Sequence, residues 1–279
     1  TDVNKLYIKM KSILVSLLLV ASVLSSEYKV IDVSTHNGKI DWAKVKAAGI
    51  KGAIIRCGYG SDYTSQDDAQ YLNNVKGCIS NGIPFGVYLY SYAKNGDQAS
   101  SEADHVIRLV NKYKSQLTFP IYYDLEEDGT QSVAVSNARI FIKKLEAQGY
   151  KVGIYANENW FNTVIKTAFN GRSLWVAKYG VDDGYQHTKP KIDSAYDMWQ
   201  YSSKYKVSGI SGYVDISVYY KEIPGIAPSS GADDDIYSKT IDQLAREVIA
   251  GLYGDGDERK RRLGDRYAEV QRRVNELLS

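Results

Sequence analysis

The run Phe119-Pro120-Ile121-Tyr122-Tyr123-Asp124-Leu125-Glu126 decides the fold. Residues 119–124 are apolar, aromatic and β-branched, which predicts a short buried strand that ends on carboxylates. Upstream, Ala103, Val106, Ile107 and Val110 carry the i, i+3, i+4, i+7 spacing of one helix face. Downstream, Ala138, Phe141, Ile142 and Leu145 form a second such face. Helix, strand, helix in this order predicts a parallel sheet with right-handed crossovers.

The pattern extends both ways. Predicted strands cover 28–34, 52–57, 85–90, 119–124, 151–155, 173–177, 197–201 and 213–217. Trp42, Val45 and Ala48–Gly49 mark an early helix. Gly49-Ile50-Lys51, Gly82-Ile83-Pro84 and Gly149-Tyr150-Lys151 read as helix C-termini feeding the next strand. Eight strands within roughly 190 residues favour a closed α/β barrel over an open sheet. Clear helices are missing between the last three strands, so the barrel is expected to be irregular there.

After Ile223 the composition changes. Pro224-Gly225-Ile226-Ala227-Pro228-Ser229-Ser230-Gly231 has linker chemistry. Of eleven Arg, four precede position 224 and seven follow it, which marks a second module. Thr240 and Gln243 form a capping box. Ile241, Leu244, Ala245, Val248 and Ile249 line one helix, a middle helix is expected around 258–263, and Tyr267, Val270, Val274 and Leu277 line the last. The expected division is a leader over 1–26, the barrel over 27–223, a linker over 224–237 and an all-α three-helix module over 238–279.

At the N-terminus, Lys9 and Lys11 flank Met10, and an apolar run from Ile13 to Leu24 precedes Ser25 and Ser26. This pattern predicts a signal peptide and a secreted protein rather than a stable membrane anchor. Thr1 to Lys9 are set aside from the fold reading. A net charge of +2 gives no electrostatic case for a nucleic-acid partner. His36, His105 and His187 are scattered, so neither metal nor cofactor is expected. Cys57 and Cys78 fit either a disulfide or two small buried side chains. The sequence leaves the oligomeric state open.

Asp124 and Glu126 lie two residues apart, so on a strand they point to one side. At the C-terminal end of a barrel strand that side faces the pocket where such barrels work. Two carboxylates at close quarters push one pKa up, giving a protonated acid beside an ionised partner, as glycosidic cleavage requires. Asp32 and Asp215 sit inside apolar strand patterns, where a carboxylate is costly unless paired or functional. Tyr is unusually abundant, 24 against 5 Phe. These rings either fill half-buried positions or line a sugar cleft.

Residues 28–223 resemble the glycoside hydrolase family 25 lysozymes. The resemblance runs through Asp32-Val33-Ser34, Gly38-Lys39-Ile40-Asp41-Trp42, Arg56-Cys57-Gly58-Tyr59-Gly60 and Gly86-Val87-Tyr88-Leu89-Tyr90-Ser91-Tyr92. It continues through Tyr123-Asp124-Leu125-Glu126, Gly153-Ile154-Tyr155, Leu174-Trp175-Val176-Ala177 and Met198-Trp199-Gln200-Tyr201-Ser202-Ser203 to Val214-Asp215. The resemblance implies an irregular TIM-like barrel of five strand–helix units and three further strands. It implies cleavage of the muramic acid to glucosamine bond of peptidoglycan, with net retention. Glu126 would be the general acid/base, Asp124 its helper, and Asp32 and Asp215 the remaining acids. The Asp124-x-Glu126 spacing resembles the end of the substrate-assisted chitinase motif, and that resemblance favours the substrate's own N-acetyl group as nucleophile over an enzyme carboxylate. Tyr155 and Trp175 are the preferred sugar contacts. Tyr59, Tyr88, Tyr90 and Trp199 are further ones, and Arg56 is an ion-pairing residue of the pocket.

The tail, from Ile241-Asp242-Gln243-Leu244 to Asn275-Glu276-Leu277, resembles the CW_7 cell-wall-binding repeat, with Tyr253 where Trp is usual. One copy implies weak affinity for wall muropeptide. Two other functions remain in view: a chitinase-like hydrolase, which would want an acid where Tyr122 stands, and a non-catalytic glycan-binding protein.

Overall fold

The computed structural model describes residues 27–227, 236, 239–249, 253 and 255–279. The predicted leader and most of the linker lie outside the described residues. Eight strands close a barrel in sequence order. They are β1 (Tyr28–Val33), β2 (Gly52–Tyr59), β3 (Phe85–Tyr90), β4 (Leu117–Asp124), β5 (Val152–Asn157), β6 (Ser173–Ala177), β7 (Met198–Tyr205) and β8 (Val214–Tyr219). Neighbours from β1 to β7 pair parallel. β8 runs antiparallel to both β7 and β1 and closes the ring.

Helices α1 (Trp42–Ala47), α2 (Tyr71–Asn81), α3 (Gly96–Val110) and α4 (Ala134–Ala147) follow the first four strands. A short turn at Glu158–Trp160, continuing as a π-helical turn over Phe161–Ile165, follows β5. No helix stands between β6 and β7 or between β7 and β8, as the sequence predicts. The chain is therefore an irregular α/β barrel.

Strand β4 carries the run from Phe119 to Asp124. Its last six residues are all buried, because one face meets helices and the other fills the barrel. Phe119 and Tyr122 belong to the inner cluster with Tyr28, Tyr155, Trp175 and Met198. Ile121 and Tyr123 belong to the outer layer beneath α3 and α4. The inner rings need room, and glycine supplies it. A Cβ on Gly52 would lie 2.6 Å from Phe119, and one on Gly153 would lie 2.6 Å from Tyr122.

Cys57 and Cys78 are buried free thiols, and Cys57 Sγ donates to the Tyr88 carbonyl at 3.2 Å. Among the described residues no helix is long and apolar enough to cross a membrane.

The C-terminal helices are α5 (Ile241–Ile249), α6 (Gly256–Leu263) and α7 (Tyr267–Leu278). Thr240 and Gln243 form the capping box, with each backbone N–H donating to the other's side chain at 2.8 and 3.2 Å. Leu244, Ala245, Val248, Tyr253, Leu263, Val270 and Val274 make this unit's own core. Ile249 departs from the predicted stripe and remains exposed.

Candidate active site

Four carboxylates gather at the C-terminal mouth of the parallel strands. Asp32 on β1 is paired in register with Asp215 on the antiparallel β8. Directly opposed residues on neighbouring strands present their side chains to the same face. Asp124 is the last residue of β4. Glu126 lies two residues past the strand end rather than on it. The Leu125 N–H bonds the Tyr155 carbonyl at 3.0 Å, which prolongs the strand geometry by one residue.

Burial grades the four. Asp32 and Asp124 are buried, while Glu126 and Asp215 are half-buried. All four carboxyls sit above their ordinary pKa range. Desolvation is the main cause at each. Asp32 is raised further by Asp215 and Glu126, and Asp124 by Glu126 and Asp32. Glu127 adds to the rise at Glu126. Asp215 is pushed up to about 6, with Asp182 and Glu126 adding to the effect of burial. Such a cluster retains protons at a pH where isolated carboxylates have lost them.

Gln200 is the hub that the sequence reading missed. Its Nε2 donates to Asp32 Oδ2 at 2.8 Å. Its Oε1 accepts from Tyr155 at 2.8 Å and from Tyr179 at 2.9 Å. A buried polar residue in an apolar strand was the signal that picked out Asp32, and it applied equally to Gln200. Asp124 Oδ1, in contrast, is buried with no hydrogen-bond partner among the described residues.

The predicted aromatic contacts separate by depth. Trp175 is 1% exposed and forms the floor, with its ring centroid 4.4 Å from Tyr155 and 5.2 Å from Tyr122. Its indole N–H donates to Ser217 Oγ at 3.0 Å. Tyr155 is also buried. Tyr88 is half-buried, edge-on to Trp175 at 6.2 Å. Its hydroxyl is pushed up by burial first and then by the charge of Asp32. Tyr90 donates its hydroxyl to Glu127 Oε2 at 3.0 Å. Tyr59 lies higher on the rim, 5.8 Å from the Arg56 guanidinium.

Trp199, expected to contact sugar, faces away from the barrel interior. It packs in the outer layer beside Tyr201, and its indole donates to the Lys178 carbonyl at 2.9 Å. The pleat turns Gln200 into the barrel and Trp199 away from it. Arg56 pairs with Asp68 at 2.8 Å, an acid absent from the predicted set. Asp68 also accepts from the backbone N–H groups of Thr35 and Gln70, each at 2.9 Å. The Arg56 charge still reaches Asp124 and opposes the rise in its pKa.

A closed barrel with convergent, proton-retaining carboxylates at the C-terminal mouth suits the acid/base cleavage of a glycosidic bond. The model of glycosyl hydrolases family 25 matches residues 31–210, and that of the CW_7 repeat matches residues 242–278. The autolytic lysozyme of Clostridium acetobutylicum is 31% identical over 238 residues, covering 82% of this chain and 68% of the relative. The catalytic domain of endolysin ply40, from bacteriophage P40 of Listeria monocytogenes, superposes with a TM-score of 0.63 at 31% identity, covering 70% of this chain and 94% of that one. The modular autolysin LytC of Streptococcus pneumoniae, solved with a synthetic peptidoglycan ligand, superposes with a TM-score of 0.59 at 31% identity. That likeness covers 70% of this chain but 47% of LytC. The chain belongs to glycosyl hydrolases family 25, as an enzyme of the lysozyme class.

Proposed function

We propose that this chain is a secreted peptidoglycan hydrolase that cleaves the β-1,4 bond between N-acetylmuramic acid and N-acetylglucosamine. The observation that carries this reading is the pairing of Glu126 with Asp124. Glu126 is half-buried, accessible and proton-retaining. Asp124 is buried beside it with an unpartnered Oδ1.

Glu126 donates its proton to the glycosidic oxygen as the bond from that oxygen to the anomeric carbon breaks. The N-acetyl carbonyl oxygen of the same sugar forms the new bond to the anomeric carbon. With the pair's proton on Glu126, Asp124 is the ionised partner, and its Oδ1 accepts the acetamido N–H, which orients the group and offsets the developing positive charge. Water then attacks the anomeric carbon from the face that the leaving group vacated and gives its proton to Glu126. Two inversions leave net retention, a recognised departure from the scheme in which an enzyme carboxylate is the nucleophile. Asp32 and Asp215 complete the acidic mouth. The hydrogen bond from Gln200 fixes Asp32. Tyr59, Tyr88 and Tyr90 contact sugar, above a floor of Tyr155 and Trp175.

The proposed boundaries are those of the sequence: leader 1–26, barrel 27–223, linker 224–237 and wall-binding module 238–279. The leader directs export, and the module holds the enzyme at the cell wall. Mass spectrometry of fragments released from a digested wall tests the bond assignment. A new reducing end on N-acetylmuramic acid is expected, and one on N-acetylglucosamine would overturn it.

A further inference from the structure

Tyr59, Tyr90 and Tyr92 form an aromatic cluster on the β2–β3 side of the mouth. Tyr92 stands between the other two, with its ring centroid 6.1 Å from Tyr59 and 5.0 Å from Tyr90. Tyr90 is paired in register with Asp124, so the cluster begins at the catalytic carboxylates and runs outward. Tyr92 is 43% exposed, whereas Tyr155 and Trp175 at the floor are covered. Tyr63, on the loop after β2, is 64% exposed. The exposed tyrosines therefore sit on loops that leave the C-terminal strand ends.

The position of Tyr92 is built from behind. Its backbone N–H donates to Glu102 Oε1 at 2.8 Å. Glu102 is fully buried on α3, and its other oxygen accepts from Ser91 Oγ and from the Tyr123 hydroxyl. Ser91 Oγ also accepts from the Ala93 N–H at 3.3 Å, and the Ser91 N–H donates to the Asp124 carbonyl at 3.1 Å. Tyr123 stacks on Phe141 at 3.9 Å. A buried carboxylate with only neutral donors is costly, and here its hydrogen bonds hold a loop that carries an exposed ring. A ring held in place before binding loses little conformational entropy when a ligand covers it.

Resting on the hydrolase reading above, we propose that Tyr92, flanked by Tyr59 and Tyr90, is a stacking platform for a sugar ring of the glycan strand beyond the pair that is cleaved. Pyranose rings present a C–H face that suits a tyrosine ring, and the tyrosine hydroxyl suits the wet edge of a cleft. The platform makes Tyr92 a specificity residue for strand length, and it acts without touching the reacting atoms.

The experiment compares kcat/KM on peptide-free glycan strands with kcat/KM on a tetrasaccharide of the same repeat. The full chain is used, with Tyr92→Ala, Tyr92→Phe and Tyr92→Trp. Tyr92→Ala is expected to lower the ratio of long to short substrate by about fivefold, chiefly through KM. Tyr92→Phe and Tyr92→Trp are expected to keep the ratio within about twofold of the native value. Equal losses on both substrates, or an unchanged ratio in Tyr92→Ala, would overturn the platform while leaving the hydrolase reading intact. A native protein that cleaves neither substrate would sink the hydrolase reading, and the platform with it.

Discussion

Gln200 Nε2 reaches Asp32 Oδ2 at 2.8 Å, joining residues 168 positions apart and anchoring a buried carboxylate on β1 from β7. The same amide accepts from two tyrosines, so one side chain fixes an acid and two rings. Gln200→Leu should leave all three partners buried and unmatched. The expected loss is about 2–4 kcal/mol of stability, at ~1–3 kcal/mol for each unmatched group with partial relaxation. kcat should fall by at least about tenfold as Asp32 loses its orientation. Denaturant unfolding and steady-state kinetics check the two expectations separately.

Glu126→Gln removes the proposed proton donor and keeps the shape. Turnover should fall by about 10²–10⁴-fold. Sedimentation with purified walls should show binding retained. Because the Glu126 pKa is raised, native activity should extend to a higher pH than an ordinary carboxylic acid allows, and then fall as Glu126 deprotonates. Substantial residual turnover in the variant would assign the proton to another group.

Asp215 offers a stability test with a definite sign. Burial pushes its carboxyl up to about 6 in the folded protein, from 3.8 for a free aspartate. Below 3.8 both folded and unfolded chains hold the proton and Asp215 carries no penalty. As pH rises through about 6, the unfolded chain has released the proton freely while the folded chain gives it up at a cost, so stability declines. Asp215→Asn should therefore be more stable than the native protein at pH 7, on the order of 1–3 kcal/mol. That advantage should vanish near pH 3.5. Melting temperatures of both proteins across this window decide it, and an advantage that grew toward low pH would contradict the assignment.

Gly77 lies on α2 against Trp42. A Cβ there would stand 2.0 Å from Trp42 Cδ1, closer than any real contact, and Trp42 is itself buried. Gly77→Ala should cost about 1–3 kcal/mol despite the better helix propensity of alanine. At about 2–4 °C per kcal/mol for a domain of this size, the melting temperature should fall by several degrees. An unchanged melting temperature would mean that α1 can move away freely.

Removing residues 231–279 tests the helical module. Activity on intact walls should fall roughly tenfold or more, since tethering raises the local concentration of substrate. Activity on soluble fragments should change far less. Equal losses on both substrates would show that the module supports the barrel instead of targeting it.

The sequence by itself determined the order of the elements and three features of the site. Alternating strand and helix periods set the barrel, and the missing helices after β6 set its irregularity. Asp32, Asp124 and Asp215 were legible because a carboxylate in an apolar strand is anomalous wherever the strand goes. The capping box of Thr240 and Gln243 was legible because it is local. Tertiary structure alone decided which face each strand residue presents. Trp199 and Gln200 are neighbours on a strand covered on both sides, so hydrophobicity does not set the phase of the pleat, and the register of the closed barrel sends Gln200 in and Trp199 out. Long-range pairings were equally hidden. Gln200 and Asp32 sit on β7 and β1, 168 residues apart, and only the closed barrel brings them together, while Arg56 with Asp68 and the Tyr92 N–H with Glu102 depend on how the chain folds back after a strand.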